Sequence, residues 1–290
     1  PHGRITSPST RQSGLSAITD IAPTILDALG IDPVEPMPGN AIRYEAGAPR
    51  IGDLHTIDAD TQVREATYGP VSTRYIQVFT ILYLLATAVV CTGRATGWWR
   101  VILTRGGLML AAFPVGTFLA RLVPGLTTWF TEAQALVAVL IAVTIGWAVD
   151  RRDARPLVAL ARVAAITIVV IVLDSWTGSR LHVSGWLGYS VHNAGRFYGI
   201  PNTTFAVLGG LTLALTGIIV HRSQRRTDAV WLVAAIFTLV LASAGLPMLG
   251  ADVGSLITLF PVFAVTVIAL SGRKMKVRSL VVAGIAMVVL

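Results

Sequence analysis

Eight apolar runs constrain this chain more than any other feature. They are Tyr75–Thr92, Gly107–Leu122, Ala133–Val149, Leu157–Leu173, Thr203–Val220, Val230–Met248, Val253–Leu270 and Leu280–Leu290. A helix needs about 20 mostly apolar residues to cross a bilayer. The first seven runs approach that length once flanking aromatic and basic anchors are counted. The second is interrupted by Pro114 and Arg121, with Pro124 just beyond, and Arg121 reads as a snorkelling residue near a helix end. The eighth, within "SLVVAGIAMVVL", is too short to span and stops at Leu290. The opening on Pro1 without methionine or signal peptide, together with that truncated run, marks the chain as an interior piece of a longer protein.

Charge follows the same plan. Only 13% of residues are charged, about half the share of a soluble domain. The net charge of +8 is not spread as a nucleic-acid surface would require. Basic residues gather in alternate loops: Arg94, Arg100 and Arg105; Arg151, Arg152 and Arg155; Arg222, Arg225 and Arg226; Arg273, Lys274, Lys276 and Arg278. The intervening loops hold only Arg180 and Arg196. The positive-inside rule places the four basic loops in the cytoplasm and residues 1–72, the loop after Asp174 and Asp252 outside it. The expected location is therefore a bacterial inner (plasma) membrane, crossed many times. Cys91 lies inside a membrane run and reads as a small packing residue, with no disulfide or cysteine-based metal site.

The chain up to Ser72 is polar, with five arginines against nine acidic residues. Thr19 and Asp20 precede the periodic run Ile21, Ile25, Leu26 and Leu29; Pro23 lies near its first turn, and Gly30 then Pro33 close it. These signals predict a short amphipathic helix, with Thr19, Asp20 and Thr24 as cap and turn residues. So small a tail has little core of its own. Residues 43–72 combine Gly, Pro and mixed charge without sustained periodicity and read as an exposed linker. Asp53, His55, Asp58 and Asp60 within it lack Ca-loop spacing and read as solvated charge.

"TDIAPTILDALGI" followed by "PMPGNAI", with "TSPSTRQSG" before it, resembles the C-terminal closing element of the alkaline phosphatase superfamily, which includes sulfatases and phosphodiesterases. The resemblance covers residues 3–42. It implies that residues 1–42 are the end of an extracytoplasmic α/β domain whose nucleophile and divalent metals come mainly from segments before Pro1. His2 is the one residue here placed to act as a late metal ligand, but "PHG" departs from the usual surroundings of that ligand. No cofactor is expected within this chain itself.

"LHVSGWLGYSVHNAGRFYGIPN", residues 181–202, joins two apolar runs and is much longer than a tight turn. Its aromatic residues favour an interfacial element packed on the helices over disorder. His192 and Arg196 lie four apart and precede a helix start at Pro201–Thr203, whose N–H groups and dipole favour an anion. Asp174 closes the run before the segment, and Asp252 opens a later run on the same side. A carboxylate at an apolar helix end needs a partner, and Arg180 or Arg196 would serve. The candidate catalytic residues are Asp174, Asp252 and His192. Arg196, Arg180, Tyr198, Asn202 and Asn193 are the candidate anion or substrate contacts. The bland reading sets Asp252 as an N-cap, the arginines as lipid-headgroup contacts and the tyrosines as interfacial anchors.

No Walker, dinucleotide, HExxH or GxSxG signature occurs. The fold expected is an all-α polytopic membrane protein over residues 73–290, with about seven full helices and a truncated eighth. The function expected is processing of a phosphate- or glycan-bearing envelope lipid at the extracytoplasmic face. A transporter or flippase gated by the polar cluster, and a non-catalytic anchor for a degenerate phosphatase-like domain, remain alternatives. Partners are membrane lipid, including a lipid-linked phosphate or glycan, and not nucleic acid. Whether the chain is an enzyme, and its oligomeric state, stay open.

Overall fold

The computed structural model describes residues 3–46, 51–123, 125–152, 155–193 and 197–271. The chain begins with strand β1 (Gly3–Thr6), helix α1 (Ile21–Leu29) and strand β2 (Arg43–Ala46). β1 and β2 pair antiparallel, with Ile5 opposite Tyr44. Gly30, at φ 66°, ends α1. Asp20 does not cap α1 with its side chain, as its place before the helix suggests it should. Its fully buried carboxylate instead accepts the Ser9 hydroxyl at 2.5 Å, the Asn40 N–H at 2.9 Å and the Ala17 N–H at 2.8 Å. Burial alone would raise this carboxyl, but the hydrogen bonds outweigh it and hold Asp20 below the ordinary carboxylate value. Thr24 donates to the Asp20 carbonyl and accepts the Ile42 N–H. Both side chains therefore staple the returning chain to the start of α1. The apolar face of α1, with Ile21, Ile25 and Leu29, is more than half exposed.

Among the described residues, seven helices are long and apolar enough to cross a membrane. They are α2 (Ile51–Cys91), α3 (Gly97–Ala120), α5 (Ala133–Arg152), α6 (Pro156–Trp176), α7 (Asn202–Arg222), α8 (Arg226–Gly245) and α9 (Val253–Leu270); α4 (Leu126–Trp129) is a single turn between α3 and α5. Each of the seven full apolar runs coincides with one of them, and only Thr92, Leu122 and Met248 with their neighbours overrun a helix end, by one to three residues. The chain is thus a multi-pass helical membrane protein, and the Leu280–Leu290 run lies outside the described residues.

The expected linker over 43–72 is corrected. Its first residues form β2, and from Ile51 it is the first half of α2. At 1.5 Å per residue this 41-residue helix is about 60 Å long, twice a bilayer's hydrocarbon thickness. It lacks an apolar stripe because neighbouring loops hold it by polar contacts. Arg121 is corrected with it: rather than snorkelling, it pairs with Asp60 of α2 at 2.7 Å, and the Thr127 hydroxyl donates to the same carboxylate at 2.6 Å.

Small residues set the helix packing. Gly116 of α3 lies so close to α5 that an added Cβ would come within 2.4 Å of the Ala138 carbonyl oxygen. Ala112, Ala138 and Ala142 continue that seam. α6 joins it to a second core, where Ile171, Leu208, Val240 and Phe263 are buried among α6–α9 and Phe237 stacks on Phe263 at 3.9 Å. The N-terminal strands, the first half of α2 and the α6–α7 and α8–α9 loops gather at one end, called here the capped end. The α2–α3 and α7–α8 loops, with their arginines, lie at the other.

Candidate functional site

The α6–α7 segment folds into a compact cap. Leaving α6, the chain turns through Ser179 and Ser184, both at positive φ (57° and 55°). Val183 then bridges Tyr189, and the His182 carbonyl accepts the Tyr189 N–H at 2.9 Å. Gly188 is required here, since an added Cβ would sit 1.7 Å from the His182 carbonyl oxygen.

α2 is the rail on which this cap sits. The Ser184 and Thr61 hydroxyls bond at 2.6 Å, Arg64 Nε donates to the Gly185 carbonyl at 2.7 Å, and Trp186 Nε1 donates to the Thr67 hydroxyl at 2.9 Å. Glu65 accepts the Ser190 hydroxyl at 2.5 Å. His192 bridges Asp58 at 2.9 Å and Glu65 at 3.2 Å, and those hydrogen bonds raise its pKa above the ordinary histidine value. The acids read from sequence as solvated therefore hold separate basic partners: Asp53 takes Arg4, Asp58 takes His192 and Asp60 takes Arg121.

Asp174, at the end of α6, is buried. One carboxylate oxygen accepts the Leu181 N–H at 2.9 Å, and the other bonds Nδ1 of His182. His182 is fully buried beneath the Phe118 ring, and its Nε2 has no hydrogen-bond partner among the described residues. Sequence reasoning called for a partner to Asp174 and chose Arg180 or Arg196. The observed partner is the histidine that left-handed Gly178 and Ser179 turn back onto the helix end. Nothing in the local pattern marks Ser179 as left-handed.

The remaining candidates fall in several places on the capped end. Arg180 and Asn193 are exposed. Tyr198 receives the Arg11 guanidinium 3.9 Å above its ring, and Gln12 donates to the Phe197 carbonyl, so the N-terminal region rests on the cap. Arg196 lies outside the described residues, as does His2. Asn202 and Asp252 meet around an open pocket of about 400 Å³ lined by Tyr189, Pro201, Asn202, Thr203 and Asp252. Asn202 is the first residue of α7; Pro201 takes the N-cap position and supplies no capping side chain. Asp252 takes the N-cap position of α9 without making a side-chain cap bond, and it is 5% exposed. The Ile200 N–H donates to the Gly250 carbonyl at 2.9 Å, which fixes the two helix starts side by side.

The pocket thus combines a carboxylate, a phenol, an amide and a hydroxyl with the amide-rich start of a 21-residue helix. Such groups recognise hydroxyls and anions. Among the described residues, no group of three or more metal-ligating side chains forms. Comparison with family models, with curated proteins and with solved structures gives no match to this chain.

Proposed function

We propose that this chain is the membrane part of a bacterial envelope protein that receives the polar head of a phosphate- or glycan-bearing lipid at its capped end. The observation that carries this reading is the pocket of Tyr189, Asn202, Thr203 and Asp252 between the starts of two membrane helices. Uncapped first-turn N–H groups of α7 favour a phosphate, and the Asp252 carboxylate and Asn202 amide suit sugar or glycerol hydroxyls. The positive-inside rule turns the arginine-bearing loops to the cytoplasm, so the capped end faces away from it. The resemblance of residues 3–42 to the alkaline phosphatase closing element points to the same phosphate chemistry. The exposed apolar face of α1 fits packing against further protein.

The carrier reading has one specific support, the buried Asp174–His182 pair, because ionisable pairs at the ends of membrane helices serve proton relays. Cells carrying Asp252→Asn or Asn202→Ala test the first reading by lipid mass spectrometry. Accumulation of one phosphate- or glycan-bearing lipid at normal protein level is expected. An unchanged lipid profile at normal protein level overturns it and leaves the carrier and anchor readings.

A further inference from the structure

A second opening lies apart from that pocket, on the lipid-facing side of the bundle. A groove of about 500 Å³ lies between α2 and α5 with α3 as its floor. Its walls are Val71, Tyr75 and Val78 on one side and Leu136, Val139 and Val143 on the other. Val78, Leu136 and Val139 are each close to half exposed. Phe113 stacks on Tyr75 at 4.9 Å to close the floor. The small Ala135 and Ala142 keep the α5 side deep. From Glu132, just before α5, to Val143 the lining runs about 16 Å at helical rise, which matches the hydrocarbon depth of one leaflet. Two exposed opposite charges also line the groove, Arg74 between Val71 and Val78 on α2 and Glu132 just before α5.

We propose that this groove is a binding site for one phospholipid of the capped-end leaflet. One acyl chain lies along Tyr75, Phe113, Leu136 and Val139, the phosphate meets Arg74 and a headgroup ammonium meets Glu132. The charge pair selects the occupant. Arg74 alone would take any phospholipid, whereas Glu132 offsets its charge towards a net anionic head and pairs with a headgroup ammonium. The ligand class is therefore a zwitterionic phospholipid of the phosphatidylethanolamine type, held as a resident molecule and not as exchanging solvent lipid. This site stands independently of the headgroup pocket at α7 and α9.

The test is native mass spectrometry of the full-length protein, delipidated and then reconstituted with equal phosphatidylethanolamine and phosphatidylglycerol. One retained phosphatidylethanolamine is expected. Arg74→Gln should weaken retention about fivefold, the effect of losing one interfacial cation, and Glu132→Gln should abolish the preference over phosphatidylglycerol. Val139→Trp, or Leu136→Trp should the first not fold, fills the groove and should remove the bound lipid while the thermal transition stays unchanged. Equal retention of both lipids by the unaltered protein, or retention in a folded groove-filling variant, overturns the proposal. A photocrosslinker at Leu136 that gives a protein dimer in place of a lipid adduct also overturns it.

Discussion

Asp174 shows how a single residue can be located by sequence and still be misread. Its position at the end of an apolar run demanded a partner, and it has one. That partner is His182 because the chain turns back at Gly178 and Ser179, and the left-handed angle of Ser179 is one its residue type does not advertise. The pair also accepts the Leu181 N–H, so the carboxylate organises the first turn of the cap. Asp174→Ala should cost about 3 kcal/mol, the order of magnitude for removing one partner of a buried hydrogen-bonded pair. Thermal unfolding in detergent measures this, and a transition within one degree of the unaltered protein would remove Asp174 from the structural account. The start of α7 was legible from Pro201 to Thr203, whereas the approach of Asp252 to Tyr189 depends on the Ile200–Gly250 hydrogen bond between distant loops.

α2 is the element where local pattern and fold diverge most. Gly52, Gly69, Pro70 and mixed charge made its first half look like a connector. Helix propensity and periodicity report only what a segment can bury by itself. Here Asp58, Asp60, Thr61, Arg64, Glu65 and Thr67 receive their partners from loops far along the chain. The apolar spans were legible because a bilayer demands length and hydropathy alone. The rail was not, because its stability comes from tertiary hydrogen bonds. One of these contacts titrates. The His192 pKa is raised by its hydrogen bonds to Asp58 and Glu65. Its contribution is therefore fully present below the unfolded histidine value of about 6.5 and is lost as pH rises through the higher folded value. Hydrogen exchange of residues 51–72 should accelerate between neutral and mildly alkaline pH, beyond the intrinsic chemical rate, while residues 75–91 stay protected. His192→Gln should abolish that extra acceleration. An acceleration unchanged in this variant would assign it to another group.

At the scale of the whole molecule, two helix cores share α6, one on α3 and α5 and the other on α7–α9. The capped end joins them, since its main loop is held by α2, by the end of α6 and by the N-terminal region through Arg11 and Gln12. The capped end brings Tyr189, Asn202 and Asp252 around one opening, and the proposed function rests on this arrangement. Photocrosslinking from position 202 in intact cells, followed by mass spectrometry of the adduct, reads the opening's occupant directly. The result expected is a lipid bearing a phosphate or glycan head, enriched over its share of the membrane. Asp252→Asn should reduce its yield about tenfold, as loss of a charge-assisted hydrogen bond would. Adducts with bulk phospholipid in proportion to membrane content, unaffected by Asp252→Asn, would contradict the headgroup pocket.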